Sequence, residues 1–294
     1  MNYKGIALFL GLSYALITLC TFAGAAQGLI VLENPNLFRY LMLAALMGIP
    51  ALSALIAGFV FPDEHSRELP LWPLPLRPAI GATLAAPVLF GLSYTLATLF
   101  GFTQPQWSLG GLMNRVTAQL STPLSPEVES AAPAVALIAY PIFSILVGAT
   151  LFAFLAVGSE MGWRAYLLPR LETLGRPAAT LITGLCWGLW FLPLVYAWHQ
   201  EVQLPGFPGA VLRILALAVV LSFFLAGILR RTGHIGVCAM ALGAFAGQDS
   251  GIWGHLFEQS TAPWTGTAGW VNIVVWGLAA FAISRWGAGK DLNK

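Results

Sequence analysis

Apolar runs about as long as a bilayer is thick recur along nearly the whole chain, and they leave few folds open to it. A hydrocarbon core takes about 20 predominantly apolar residues per helix. Eight candidate segments appear, at 5–29, 37–61, 79–99, 134–157, 178–198, 210–229, 235–247 and 264–283, the seventh of them short. Charged residues make up 9% of the chain and the mean hydropathy is +0.78; soluble domains carry about 25% charged residues. With no water to satisfy them, backbone groups in lipid must pair within their own segment or around a closed barrel. Helix-length runs select the first solution. The sequence therefore predicts an all-α polytopic membrane helix bundle of about eight transmembrane helices. The seventh run is the weakest and is set off by Arg230-Arg231 before it and polar residues after it. Pro50, Pro87 and Pro141 fall inside spans, where neighbouring helices can satisfy the freed carbonyls.

Charge placement gives an orientation. With the first segment entering from the cytoplasm, eleven cations fall inside (Lys4, Arg67, Arg77, Arg164, Arg170, Arg176, Arg230, Arg231, Arg285, Lys290, Lys294) and three outside (Arg39, Arg115, Arg213). That bias predicts both termini on the cytoplasmic side. The apolar stretch after Lys4 exceeds a signal-peptide core of about 7–15 residues and reads as an uncleaved span. Cys20, Cys186 and Cys238 lie in apolar runs without paired spacing, as small buried residues do. Membrane lipids are the expected surroundings, with no nucleic-acid partner. The chain divides into N-terminal helices with a long outer loop (1–133) and a core with a C-terminal helix (134–294), joined as one membrane domain. The loop at 101–133 is expected to hold an interfacial helix, and 62–78 to be a plain connector. No internal repeat is evident, which disfavours a transporter architecture.

One stretch carries charge where apolar residues dominate. In 158–171, Glu160 and Arg164 stand four apart with Trp163 between them. Ionisable groups in a membrane are costly and mark a functional site by default. At i,i+4 spacing the two can pair on one helix face, and the expected pair would pin a helix end at the inner membrane surface. Trp163, Trp187 and Trp190 read as interfacial anchors and packing residues. Gly184 and Gly188 form a small-xxx-small pair that permits close helix approach. His234 reads as an interfacial residue, His199 as an outer-loop residue, and Gln248 with Asp249 as an ordinary polar turn. His255 and Glu258 lack a third ligand for a metal.

The stretch 158–171, the run Cys186-Trp187-Gly188-Leu189-Trp190-Phe191-Leu192-Pro193-Leu194, and Arg230-Arg231-Thr232-Gly233 followed by Leu242 and Ala246 resemble, in order and spacing, the three motifs of the CPBP family of intramembrane metalloproteases. That family includes the CAAX prenyl endopeptidases and bacterial bacteriocin-processing relatives. The resemblance implies a membrane-embedded conical cavity, in which a Glu and a His activate water and a further His and an Asn stabilise the oxyanion. Carried over by position, the first Glu corresponds to Ser159, the second to Glu160 and the Arg to Arg164. The second-motif His corresponds to Phe191, the third-motif His to Leu242 and the Asn to Ala246. The four chemically active positions have changed type, and His199 and His234 each lie about 12 Å along a helix from the place of a lost His. The resemblance thus implies a catalytically degenerate member of a bacterial cytoplasmic membrane, with no intact catalytic set, no metal and no cofactor. A hydrophobic or lipidated peptide, or a membrane-protein partner, would occupy its apolar cavity. An active endopeptidase with a relocated site, or a carrier or peptide-immunity protein, is the alternative.

Overall fold

A computed structural model describes residues 2–27, 37–62, 69–118, 125–202, 206–257 and 263–285. Three helices open the chain: α1 (Tyr3–Ala26), α2 (Leu37–Val60) and α3 (Leu76–Leu99). A short helix, α4 (Gly110–Ala118), fits the expected helix in the long loop. Next comes an unbroken helical stretch, Pro126–Leu174, of 49 residues. It consists of α5 (Pro126–Val147), a π turn at Gly148–Phe152, α6 (Ala153–Glu160), a second π turn at Met161–Leu167, α7 (Leu168–Leu171) and a 3-10 turn at Glu172–Leu174. Then follow α8 (Arg176–Trp190), α9 (Leu192–Val202), α10 (Phe207–Thr232), α11 (Ile235–Asp249), α12 (Trp253–Leu256) and α13 (Trp270–Arg285).

Among the described residues, six helical stretches are long and apolar enough to cross a membrane, and Ala45–Val60 and Trp270–Arg285 are shorter apolar helices. The chain is an all-α polytopic membrane bundle, and these six long and two shorter helical stretches fall on the eight apolar runs. The Asn2 side chain accepts from the Gly5 N–H at 3.0 Å and donates to the Phe61 carbonyl at 3.1 Å, tying the start of α1 to the end of α2. Late in α10 and α13, Gly227 faces Ile283. The starts of α1, α3, α8 and α11 and the ends of α2, α7, α10 and α13 thus share one end of the bundle. That end gathers Lys4, Arg77, Arg170, Arg176, Arg230, Arg231 and Arg285.

Small residues set the spacing between helices. A Cβ on Gly184 would meet the Val219 Cα at 2.7 Å, and one on Gly188 the Ala218 Cβ at 3.1 Å, so α8 lies against α10 backbone to backbone. A Cβ on Gly247 would meet the Gly148 Cα at 2.8 Å, which seats α11 on the first π turn. This explains why the seventh run is short. Of the 18-residue apolar window within Ile235–Leu256, 72% is buried, so α11 is an interior helix with little lipid face to maintain.

Three expectations change here. The described part of 62–78 is more than a connector: the Pro70 carbonyl accepts from the Ile235 N–H at 3.1 Å, and the Pro73 carbonyl lies 2.9 Å from His234 Nε2. It thereby serves the first turn of α11, whose N–H groups have no partner within the helix. His234 is accordingly buried, not interfacial. Gln248 is no ordinary turn residue either. It is buried, donates to Ser144 Oγ at 3.2 Å and accepts from Trp253 Nε1 at 2.8 Å, clasping α11, α5 and α12. Asp249 accepts from the Thr267 hydroxyl. Polar groups sheltered from water need partners, and these neighbours supply them.

Gly184→Leu should lower the unfolding temperature in detergent, at a cost of about 1–3 kcal/mol or more from overpacking. Gly11, where a Cβ meets nothing within 4 Å, is the control. Gly11→Ala should be neutral or stabilise by about 0.5–1 kcal/mol. Equal effects from the two would contradict the tight α8–α10 contact.

Candidate functional site

Glu160 closes α6, and Arg164 lies in the π turn that follows. Pro169 explains the widened turn. It has no N–H to offer the carbonyl four residues back, and its ring crowds that carbonyl. The Leu168 N–H bonds the Trp163 carbonyl, five residues back, in the π pattern. Within this turn Arg164 Nη1 donates to Glu160 Oε1 at 2.8 Å, and both side chains are 0% exposed.

Rings enclose the pair. The Arg164 guanidinium lies 4.1 Å from the centre of the Trp187 ring, a cation–π contact strengthened by desolvation. Trp163 meets Trp190 edge-on at 6.3 Å and Phe9 of α1 at 5.3 Å. Phe191 joins α8 to α9 and packs on Trp190 at 5.0 Å and Trp187 at 5.8 Å. From α11, the buried Cys238 lies within electrostatic range of both Glu160 and Arg164. Leu242 and Ala246 follow one and two turns later, about 40° and 80° further round the helix. Leu242 packs against the same hydrophobic core. Glu160, Arg164 and Phe191 therefore surround one tryptophan cluster, while Leu242 and Ala246 run away from it along α11.

Ser159 is buried at 0% exposure, and its hydroxyl has no hydrogen-bond partner among the described residues. The same holds for Glu160 Oε2, Arg164 Nε and Nη2, and the indole N–H groups of Trp163, Trp187 and Trp190. Each such group costs about 1–3 kcal/mol. Full burial also means that no water-sized void touches Ser159, Glu160, Trp163, Arg164 or Trp190.

The expected i,i+4 ion pair is present, but its setting differs from the expectation. The helix runs on to Leu174 past Arg164, so the pair pins no helix end at a membrane surface and sits inside the bundle. Arg164 accordingly leaves the tally of inner-face cations. The three tryptophans pack in the interior, not at the interface, because their rings wrap a charge pair that lipid would not solvate.

Some of this was missed in the sequence. A Cβ on Gly158 would meet the Met47 carbonyl oxygen at 2.7 Å, and one on Gly162 the Pro50 carbonyl carbon at 2.7 Å. The spacing Gly158-xxx-Gly162 was the available signal that α2 lies directly on the motif. The side chain of His199, and Glu258, lie outside the described residues; His255 stands edge-on to Tyr140 at 5.6 Å. Among the described residues no three His, Cys, Asp or Glu side chains gather as metal ligands. The site offers one carboxylate, already held by an arginine, and no imidazole, so its donor set does not fit a metal ion.

Residues 141–246 match the family model described as Rce1-like, type II CAAX prenyl endopeptidase Rce1-like. That match, over 106 of the chain's 294 residues, agrees with the resemblance that the motifs carry. The matched segment contains all six motif positions, from Ser159 to Ala246. No curated protein matches the chain. In this CAAX-type core the supporting Glu–Arg pair is kept and enclosed.

Removing one partner of a buried ion pair leaves an uncompensated charge and costs about 3–5 kcal/mol, whereas apolar replacement of both can be near neutral. Glu160→Leu and Arg164→Met should each strongly lower the unfolding temperature in detergent, and the double variant should recover much of the loss. Single variants as stable as the parent would contradict an enclosed pair.

Proposed function

We propose that this chain is a non-hydrolysing member of the CAAX endopeptidase family. It holds a hydrophobic or lipidated peptide segment, or a membrane-protein partner, within the bilayer. One observation carries the reading. The carboxylate left in the motif, Glu160, is bound to Arg164 and has no room beside it for the water that peptide hydrolysis consumes. By the motif resemblance, Ser159 and Phe191 correspond to the water-activating Glu and His, and Leu242 and Ala246 to the oxyanion-stabilising His and Asn; none of the four can take up a proton from water or carry charge at neutral pH.

Binding is better served one layer outwards. An open groove of about 370 Å³ lies between α1 and the α8–α9 junction, beside Phe191. Its walls include Ile17, Leu189, Leu192, Pro193, Tyr196 and Phe207. Tyr14 also lines it, but its hydroxyl is committed to the Cys186 carbonyl at 3.1 Å, leaving its ring to face the groove. An apolar chain lying in lipid fits these walls. The arginine-rich end of the bundle supports a cytoplasmic position for both termini in a bacterial cytoplasmic membrane.

In detergent, the purified protein should leave a panel of prenylated and transmembrane peptides uncut. It should bind a fluorescent farnesylated peptide saturably, and Leu189→Trp, which fills the groove, should weaken binding at least tenfold. Cleavage that disappears in Glu160→Ala would overturn the proposal in favour of an active endopeptidase. Peptide affinity unchanged by Leu189→Trp would remove the groove as the binding site.

A further inference from the structure

The groove beside Phe191 has a definite depth in the membrane, fixed by the helices that line it. α1 leaves the arginine-rich end at Tyr3, so at 1.5 Å per residue Tyr14 lies about 17 Å and Ile17 about 21 Å from that end. α8 leaves the same end at Arg176, which puts Leu189 about 20 Å along it. Phe207 opens α10, whose 26 residues run about 38 Å back to the arginine-rich end. The lining therefore begins near the middle of an apolar layer about 30 Å thick and continues to the opposite surface, the depth of one leaflet.

Towards the arginines the way is shut. The Tyr14 hydroxyl donates to the Cys186 carbonyl at 3.1 Å and ties α1 to α8 at the floor of the groove. Beyond that tie, Phe9 is fully buried against Trp163 and Tyr166, at 5.3 and 5.1 Å. At the mouth, Tyr196 packs on Phe207 at 5.8 Å and on Phe22 at 6.0 Å, an aromatic frame of the kind found where apolar layer meets headgroups. Between floor and mouth the walls are apolar apart from the Thr18 hydroxyl. The groove is continuous with the lipid-facing surface, where Leu19, Phe22 and Leu189 are exposed.

These features select the occupant. A peptide backbone in lipid must pair its own N–H and C=O groups, which forces a helix. A helix is about 10–12 Å across, and over a leaflet's depth it would need several times the groove's volume of about 370 Å³. An alkyl chain is thin and has no polar groups to satisfy. We infer that the groove holds one acyl chain of a phospholipid from the leaflet opposite the arginines, its methyl end at Tyr14 and its carbonyl end at the Tyr196–Phe207 mouth. The depth and direction of the chain rest on the groove alone. One consequence rests on the function proposed above: a lipidated peptide reaches the groove from that same leaflet and displaces the lipid chain.

Photolabelling of the full-length protein in phosphatidylglycerol nanodiscs, which offer both leaflets equally, tests this. A small share of the lipid carries a diazirine near either the methyl or the carbonyl end of one chain, and adducts are mapped by mass spectrometry. The methyl-end probe should label Tyr14, Ile17 and Leu189, and the carbonyl-end probe Tyr196 and Phe207. Groove labelling should exceed that of Leu278 and Phe281, exposed on α13, at least threefold. Leu189→Trp should cut it at least fivefold without changing the α13 adducts. Thr18→Trp, a change at an exposed wall position, should do the same and serves if Leu189→Trp fails to fold. Saturating farnesylated peptide should also suppress it. Reversed order of the two probes would show a chain hung from the arginine side. Labelling no stronger than on α13, or indifferent to both tryptophans, would show bulk lipid. Each of these results overturns the inference. Peptide that binds while groove labelling persists would overturn the shared route. Because labelling is first read without peptide, failure of this inference and failure of peptide binding are told apart.

Discussion

An ion pair taken wholly out of water persists only when its surroundings replace much of what hydration supplied, and Glu160 with Arg164 sets that demand at the centre of this bundle. The desolvation of two charges costs several kcal/mol per ion even after relaxation. One hydrogen bond of 2.8 Å and one ring face at 4.1 Å meet part of it. The neighbouring helices are arranged around the remainder. Glycines 158 and 162 let α2 close over one side, α8 contributes Trp187 and Trp190, and α1 contributes Phe9. Enclosure of the pair and close packing of the helices are therefore one requirement seen from two directions.

This enclosure bears on chemistry as well as stability. A general base works by exchanging protons with water held against it. Here the polar atoms that have lost their partners (Ser159 Oγ, Glu160 Oε2 and the indole N–H groups) face other protein atoms. In the proposed non-hydrolysing reading, the site keeps polar groups without the space that a reaction needs. That reading assigns binding to surfaces outside the cluster, where the lining is apolar and open.

The all-α membrane bundle was legible because length and hydropathy alone decide whether a helix can cross a bilayer. The i,i+4 pair and the Gly184–Gly188 contact were legible because helical periodicity fixes which residues share a face. What stayed hidden is which apolar surface meets lipid and which meets protein. Hydropathy is blind to that difference, since lipid tails are as apolar as leucine. For this reason Trp163, Trp187 and Trp190 read as membrane anchors when they are interior walls, and α11 read as a weak span when it is a central one. The role of Pro70 and Pro73 beneath α11 was hidden too, because it depends on a contact more than 160 residues away in the chain.

The helical stretch from Pro126 to Leu174 carries one more implication. Its 49 residues amount to about 70 Å of rise, more than twice the apolar thickness of a bilayer. Tilt of the size helices usually adopt, about 20°, absorbs little of that excess. Several turns must therefore stand in water, and Glu127, Glu129 and Ser130 at the opening of α5 are exposed as those turns require. The opening turns of α5 thus project past the apolar layer on the face opposite the arginines.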